Sequence, residues 1–134
     1  MKIQRLLLTQ LTQALQPGKA LIVYGPRQVG KTTLVQDLLA ATDLPHVYIS
    51  ADELIYREAL ASQNRRTLGE LLGDSRLLVI DEAQRVPEIG LNLKILVDNY
   101  PHAIIIATGS ASFDLARKVS EPLTGRKLTF TLYP

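Results

Sequence analysis

A run of apolar residues, Ala20 to Val23, leads into "YGPRQVGKTT", Tyr24 to Thr33, and from there into a helix-like run, Leu34 to Leu39. No other stretch limits the fold so strongly. A buried strand that turns through two glycines straight into a helix is half of a strand–helix–strand unit, and such units build parallel sheets covered by helices on both faces. Gly25, Gly30, Lys31 and Thr32 also fit the spacing glycine, four residues, glycine, lysine, serine or threonine. Glycines there let backbone N–H groups converge on phosphate oxygens. Lys31 adds a point charge at the β and γ phosphates, the Thr32 hydroxyl can ligate Mg²⁺, and a helix starting near Lys31 adds the positive end of its dipole. A chance match in a chain this long is expected on the order of one time in a few hundred, which weakens the alternative of a plain connecting turn.

The rest of the chain alternates in the same way. Ile3, Leu7, Leu8, Leu11 and Leu15 sit at helical spacing, and Pro17 with Gly18 ends that helix. Strands are expected at 20–24, 46–50, 76–80, 103–107 and 127–132. Helices are expected at 31–41, 53–72 with a break near Asn64, 88–99 and 111–119. "ALIV", "LLVI" and "AIIIA" are continuous apolar runs, as in strands buried on both faces, whereas "HVYIS" and "KLTFTLY" alternate, as at an edge. Strands one, three and four therefore belong inside and two and five at the edges; the order 5-1-4-3-2 satisfies this, and so do others. The predicted class is α/β with a five-stranded parallel sheet. At 134 residues and 46% apolar, there is room for one domain with a single core.

Composition narrows the chemistry. With no cysteine, thiolate catalysis, thiolate zinc sites and disulfides are excluded. His46 and His102 each open a strand-like run and are read as strand-start residues rather than metal ligands. Fifteen basic against 13 acidic residues give a net charge of +2, with no basic cluster, so nucleic acid is neither indicated nor excluded as a partner. The N-terminal apolar triplet is too short to cross a membrane and carries no cleavage signal, so a cytoplasmic location is expected.

Three further stretches carry candidate chemistry. In "LLVIDEAQRVP" a buried strand ends in Asp81 and Glu82, on the rim where parallel sheets present ligands. By reach, Asp81 would hold the hydration shell of Mg²⁺, and Glu82 would orient and deprotonate the water attacking the γ phosphate. An acidic pair capping the next helix is the alternative had the stretch stood alone. In "IIIATGSAS" Thr108, Gly109, Ser110 and Ser112 follow the fourth strand; a hydroxyl facing the γ phosphate and an N-cap for the next helix are both open. Gly125 and Arg126 precede the last strand, where Arg126 either serves a nucleotide on a neighbouring subunit or is an ordinary solvated arginine.

"GPRQVGKTTL", "LLVIDEAQRVPE", "ATGSAS" and "LTGRKLTFTLYP" resemble, in this order, the Walker A, Walker B, sensor 1 and GR segments of the AAA+ branch of P-loop ATPases. More narrowly, they resemble the bacterial and archaeal ATP-binding proteins in which an AAA core precedes a C-terminal domain of unknown function. The resemblance implies the P-loop three-layer sandwich with order 5-1-4-3-2, ATP and Mg²⁺ as cofactors, and hydrolysis of the β–γ phosphoanhydride bond. By position it assigns Gly25, Pro26, Arg27, Gln28, Val29, Gly30, Lys31, Thr32 and Thr33 to the nucleotide, with Thr32 and Asp81 for the metal. Glu82 is the base, Ser110 the sensor, with Thr108 competing for that role, and Arg126 the arginine finger of a homo-oligomer. Residues 1–134 are read as the core alone, without the helical lid and C-terminal domain that the family places after "LYP". A nucleotide-dependent switch with little turnover, binding ATP or ADP, is the alternative function, and a small-molecule kinase a weaker one. No Asn-Lys-x-Asp stretch of the guanine-reading kind is present.

Overall fold

The computed structural model describes residues 2–25, 31–109 and 122–131. Helix α1 (Lys2–Ala14) leads to strand β1 (Ala20–Tyr24) through a turn in which Gly18 takes a φ of 83°. Helix α2 (Lys31–Ala41), strand β2 (His46–Ser50), helices α3 (Leu54–Leu60) and α4 (Arg65–Leu72), strand β3 (Leu77–Asp81), helix α5 (Ile89–Asn99), and strands β4 (Ile104–Gly109) and β5 (Lys127–Thr131) follow. Strands β2, β3, β4 and β1 lie side by side in that order, and β5 pairs along the free edge of β1; every pairing is parallel. Every residue of β1, β3 and β4 is buried, and β2 is part exposed, which explains the continuous apolar runs of the first three and the alternation of the last.

The sheet separates two cores. Leu21 and Val23 of β1, Leu77 and Val79 of β3, and Ile104 and Ile106 of β4 pack with Leu11 of α1 and Leu34, Val35 and Leu38 of α2, and half-buried Tyr48 of β2 joins them. The alternate residues, Ile22, Leu78, Ile80, Ile105 and Ala107, pack with Leu60 of α3, Leu68 and Leu72 of α4, and Leu93, Leu96 and Val97 of α5. The period-2 pattern of each strand thus decides which helix layer a side chain meets.

The expected long helix over 53–72 is two helices. Gln63 adopts a φ of 50° between them, and its N–H is received by Asn92 Oδ1 at 2.7 Å, while Asn92 Nδ2 donates to the Glu88 carbonyl at 2.9 Å. Asn92, fully buried in α5, therefore fixes the turn that breaks the helix. Asn64 then caps α4, its side chain accepting from the Thr67 N–H at 3.0 Å, an arrangement worth about 1 kcal/mol. Strand β3 runs one residue further than its apolar pattern, because the Asp81 carbonyl accepts the Ala51 N–H at 2.9 Å. The helix expected at 111–119 lies outside the described residues.

Candidate functional site

The carboxyl ends of β3, β4 and β1 are neighbours, and the candidate residues gather there. The Gly25 N–H donates to the Gly109 carbonyl at 3.2 Å, so the segments that follow β1 and β4 leave the sheet side by side. Helix α2 opens six residues after Gly25 and packs on the β1–β4–β3 face through Leu34, Val35 and Leu38. Thr33, in its first turn, is exposed. Pro26, Arg27, Gln28, Val29, Gly30 and Ser110 lie outside the described residues, as do the side chains of Lys31 and Thr32.

Asp81 shares its side of the sheet with Leu77 and Val79, the side covered by α2. It is 8% exposed, and its carboxylate is held from three directions. The Thr108 hydroxyl of β4 donates to Oδ1 at 2.5 Å, the Glu82 N–H donates to the same oxygen at 3.0 Å, and the Tyr48 hydroxyl of β2 donates to Oδ2 at 2.5 Å. Tyr48, Asp81 and Thr108 thus form a row across three adjacent strands. Burial, with the hydrogen bond to Asp81 and its negative charge next in importance, pushes the Tyr48 hydroxyl well above its ordinary pKa, so it remains a donor. Thr108, at 1% exposure, spends its hydroxyl on Asp81. Thr108, one of the two residues competing as a γ-phosphate sensor, is therefore committed to the carboxylate.

Glu82 is 7% exposed and sits in the left-handed region, φ 57° and ψ 41°. A non-glycine residue there costs on the order of 1 kcal/mol, and such backbone persists where its surroundings fix it. Here the fixing contacts are its N–H on Asp81 Oδ1 and its carbonyl, which accepts the Arg85 N–H at 3.1 Å. The turn sends the Glu82 side chain away from the strand alternation into a short 3₁₀ turn, Ala83–Arg85, where Gln84 Nε2 donates to Glu82 Oε2 at 2.7 Å. Around the same rim, Arg85 pairs with Asp52 at 2.7 Å and Arg57 donates to the carbonyls of Ala51 and Asp52 at 2.8 and 3.0 Å. The connection after β2 is tied to both α3 and the segment bearing Glu82.

Arg126 is elsewhere. Its carbonyl accepts the Ala20 N–H at 2.9 Å, and the next residue, Lys127, pairs with Ala20, so it lies at the amino end of β1 and β5. Its guanidinium pairs with Asp98 of α5 at 2.9 Å, both side chains part exposed. Sequence reasoning missed Tyr48 and Gln84. The alternation of "HVYIS" already sets Tyr48 opposite in face to Val47 and Ile49, which is the signal that could have found it.

Among the described residues no three His, Asp or Glu come together as a metal-binding group, and no helix is long and apolar enough to cross a membrane. Comparison with known proteins bears on the family and the fold. A family model described as an AAA domain matches residues 17–134. An uncharacterized protein of Mycobacterium tuberculosis is 37% identical over 118 residues, 87% of this chain, and this chain spans 25% of that relative's length. The RuvB Holliday junction branch migration motor of Thermotoga maritima superposes with a TM-score of 0.60 at 18% identity, covering 99% of this chain and 43% of its own. AMPPCP-bound DnaA from Aquifex aeolicus gives 0.55 at 18% identity, covering 96% of this chain and 44% of its own.

Proposed function

The chain belongs to the AAA domain family and carries the core of an AAA+ P-loop ATPase, and on that premise we propose that it binds ATP and hydrolyses it with Mg²⁺. The observation that carries this reading is the convergence of Asp81 and Glu82, two nearly buried carboxylates, with the ends of β1 and β4 beside the start of α2. The backbone of residues 25–30 and the dipole of α2 would receive the phosphates, Lys31 would neutralise them, and Thr33 would border the site. AMPPCP, an ATP analogue, is bound by a structural neighbour, in keeping with adenine nucleotide as the ligand here.

The residues present fit Mg²⁺. A carboxylate offers about four acceptor positions, and the donors on Asp81, namely Tyr48, Thr108 and the Glu82 N–H, take three of them. Asp81 and the Thr32 hydroxyl would hold the ion. Once bound, it would neutralise charge developing on the β and γ phosphate oxygens. Glu82 is the general base: it would orient the attacking water and take its proton as the water oxygen bonds to the γ phosphorus and the β–γ bridging oxygen leaves with ADP. Ser110 would sense the γ phosphate. Arg126 would act on a nucleotide held by a neighbouring copy, which makes a homo-oligomer the active form.

Phosphate release from Mg-ATP by the purified chain, set against ATP binding, tests this directly. Glu82→Gln should lower turnover by about 10²–10⁴-fold while leaving ATP affinity within a few-fold. Undiminished hydrolysis by that variant would remove Glu82 from the mechanism. One observation favours a second reading, a nucleotide-dependent switch of low turnover: Glu82 Oε2 is engaged by Gln84. Under that reading Gln84→Ala raises turnover, whereas under the first it leaves turnover unchanged or lowers it.

A further inference from the structure

We propose that Tyr48 is a positioning residue for the metal-holding carboxylate: its hydroxyl, reaching from β2, fixes the plane of Asp81 so that the carboxylate is preset for a divalent cation. The inference rests on the nucleotide-binding reading above and assigns a role that neither the glycine loop nor the acidic pair supplies.

The geometry carries it. The terminal torsion of an aspartate is broad, so packing alone leaves the carboxylate plane loosely set. Two oxygens held from opposite neighbouring strands define that plane. Thr108 approaches Oδ1 from β4, Tyr48 approaches Oδ2 from β2, and Asp81 lies between them on β3. Tyr48 stands beside Val79 in the β2–β3 register, two residues short of Ser50, which stands beside Asp81. Its long side chain therefore runs diagonally toward the carboxyl rim, a reach that serine or threonine at the same position lacks. The ring is packed against the α2-side core, so the hydroxyl is delivered from a fixed body rather than from a flexible stem. Among the described residues, Tyr48 is the donor to Oδ2 of Asp81, while Oδ1 has two donors. Removing the Tyr48 hydroxyl frees one end of the carboxylate, and removing the Thr108 hydroxyl still leaves the Glu82 N–H on the other. Hydrogen-bonding partners behind a metal-holding carboxylate commonly change metal affinity by about 10–100-fold.

The test uses AMPPCP as the nucleotide, so that no turnover is involved. Its dissociation constant is measured calorimetrically with and without Mg²⁺, and Mn²⁺ occupancy of the AMPPCP complex is read from the loss of the free-ion paramagnetic resonance signal. Tyr48→Phe should leave metal-free AMPPCP affinity within about twofold and weaken Mn²⁺ binding by about tenfold or more. Thr108→Val should weaken Mn²⁺ binding less than Tyr48→Phe does, and Thr108→Ser, which keeps the hydroxyl, should restore it. Unchanged Mn²⁺ affinity in Tyr48→Phe overturns the proposal. So does an equal loss of metal-free and metal-dependent binding, which marks the hydroxyl as a general structural prop. Wild-type chain that binds AMPPCP equally with and without Mg²⁺ overturns instead the metal reading on which the proposal rests.

Discussion

Replacing Gly69 with alanine should destabilise the fold, against the usual gain from glycine to alanine in a helix. Gly69 lies in the middle of α4, and a Cβ there would stand 1.9 Å from the Tyr100 hydroxyl oxygen and 2.5 Å from its Cζ. The ring would have to retreat by about 1.5 Å to regain ordinary contact. That retreat breaks the bond from the Tyr100 hydroxyl to the Arg65 carbonyl, now 3.0 Å, which ties the first turn of α4 to the end of α5. Crowding costs about 1–3 kcal/mol and the lost bond about 1 kcal/mol, while helix propensity returns about 1 kcal/mol. The net is a loss of about 1–3 kcal/mol, a fall in the urea midpoint of about 0.5–1.5 M. In a Tyr100→Ala background the obstacle is gone, and the same substitution should stabilise by about 1 kcal/mol. The assay is urea unfolding of the four proteins in this cycle. A Gly69→Ala midpoint that rises in the wild-type background, or moves in the same direction in both backgrounds, would refute the argument. AMPPCP affinity should be unaffected throughout, since α4 packs on the face of the sheet away from Asp81.

Asn92→Leu should cost about 1–3 kcal/mol in urea unfolding, because it leaves the Gln63 N–H without its acceptor beneath α3 and α4. In an alkaline titration followed by phenolate absorbance, Tyr48→Phe should lose a component that titrates above the ordinary tyrosine range. The Tyr48 pKa is raised in the folded state, so its stabilising contribution is complete below the ordinary tyrosine value of 10.0 and is lost as pH climbs through the higher folded value. Phosphate release per chain should rise with protein concentration, and Arg126→Ala should lower activity at high concentration while leaving AMPPCP binding intact; activity independent of concentration would remove the trans role.

Where local pattern and chain order decide, the sequence was a good guide. β1, α2 and β2 begin and end where the apolar runs, the glycine loop and the polar breaks put them. The place of Asp81 and Glu82 was legible because a strand four apolar residues long has to end somewhere polar, and the structure sets both at the carboxyl end of β3, the rim where a parallel sheet presents ligands. What was hidden depends on contacts between distant residues or on backbone that composition does not encode. Tyr48 meets Asp81 across 33 positions of sequence, and its ring reads equally well as core filling. The left-handed backbone of Glu82, which turns it toward Gln84, has no signature in a glutamate. Thr108 and Ser110 were indistinguishable by spacing; the bond from Thr108 to Asp81 was hidden because it depends on the register that brings β4 beside β3.

The polarity of the parallel sheet also decides how Arg126 can be used. The candidate phosphate site lies at the carboxyl end of β1, and Arg126 lies at its amino end, beside Ala20. Four residue steps of strand, about 13 Å, separate the two levels. Within one chain the guanidinium is therefore tied to the wrong end of the strand, and its ion pair with Asp98 holds it there. The proposed trans role therefore requires a second copy whose own rim is set against this amino end. The pair with Asp98 is part exposed, and pairs of that kind contribute about 0–1 kcal/mol. In the proposed trans role, exchanging Asp98 for phosphate oxygens would thus be a small cost against a charge-assisted bond to a polyanion. On the proposed trans reading, Asp98 would keep a positive side chain ordered in the single chain and yield it on assembly, and the concentration dependence of turnover, rather than the activity at any one concentration, would be the property that Arg126 governs.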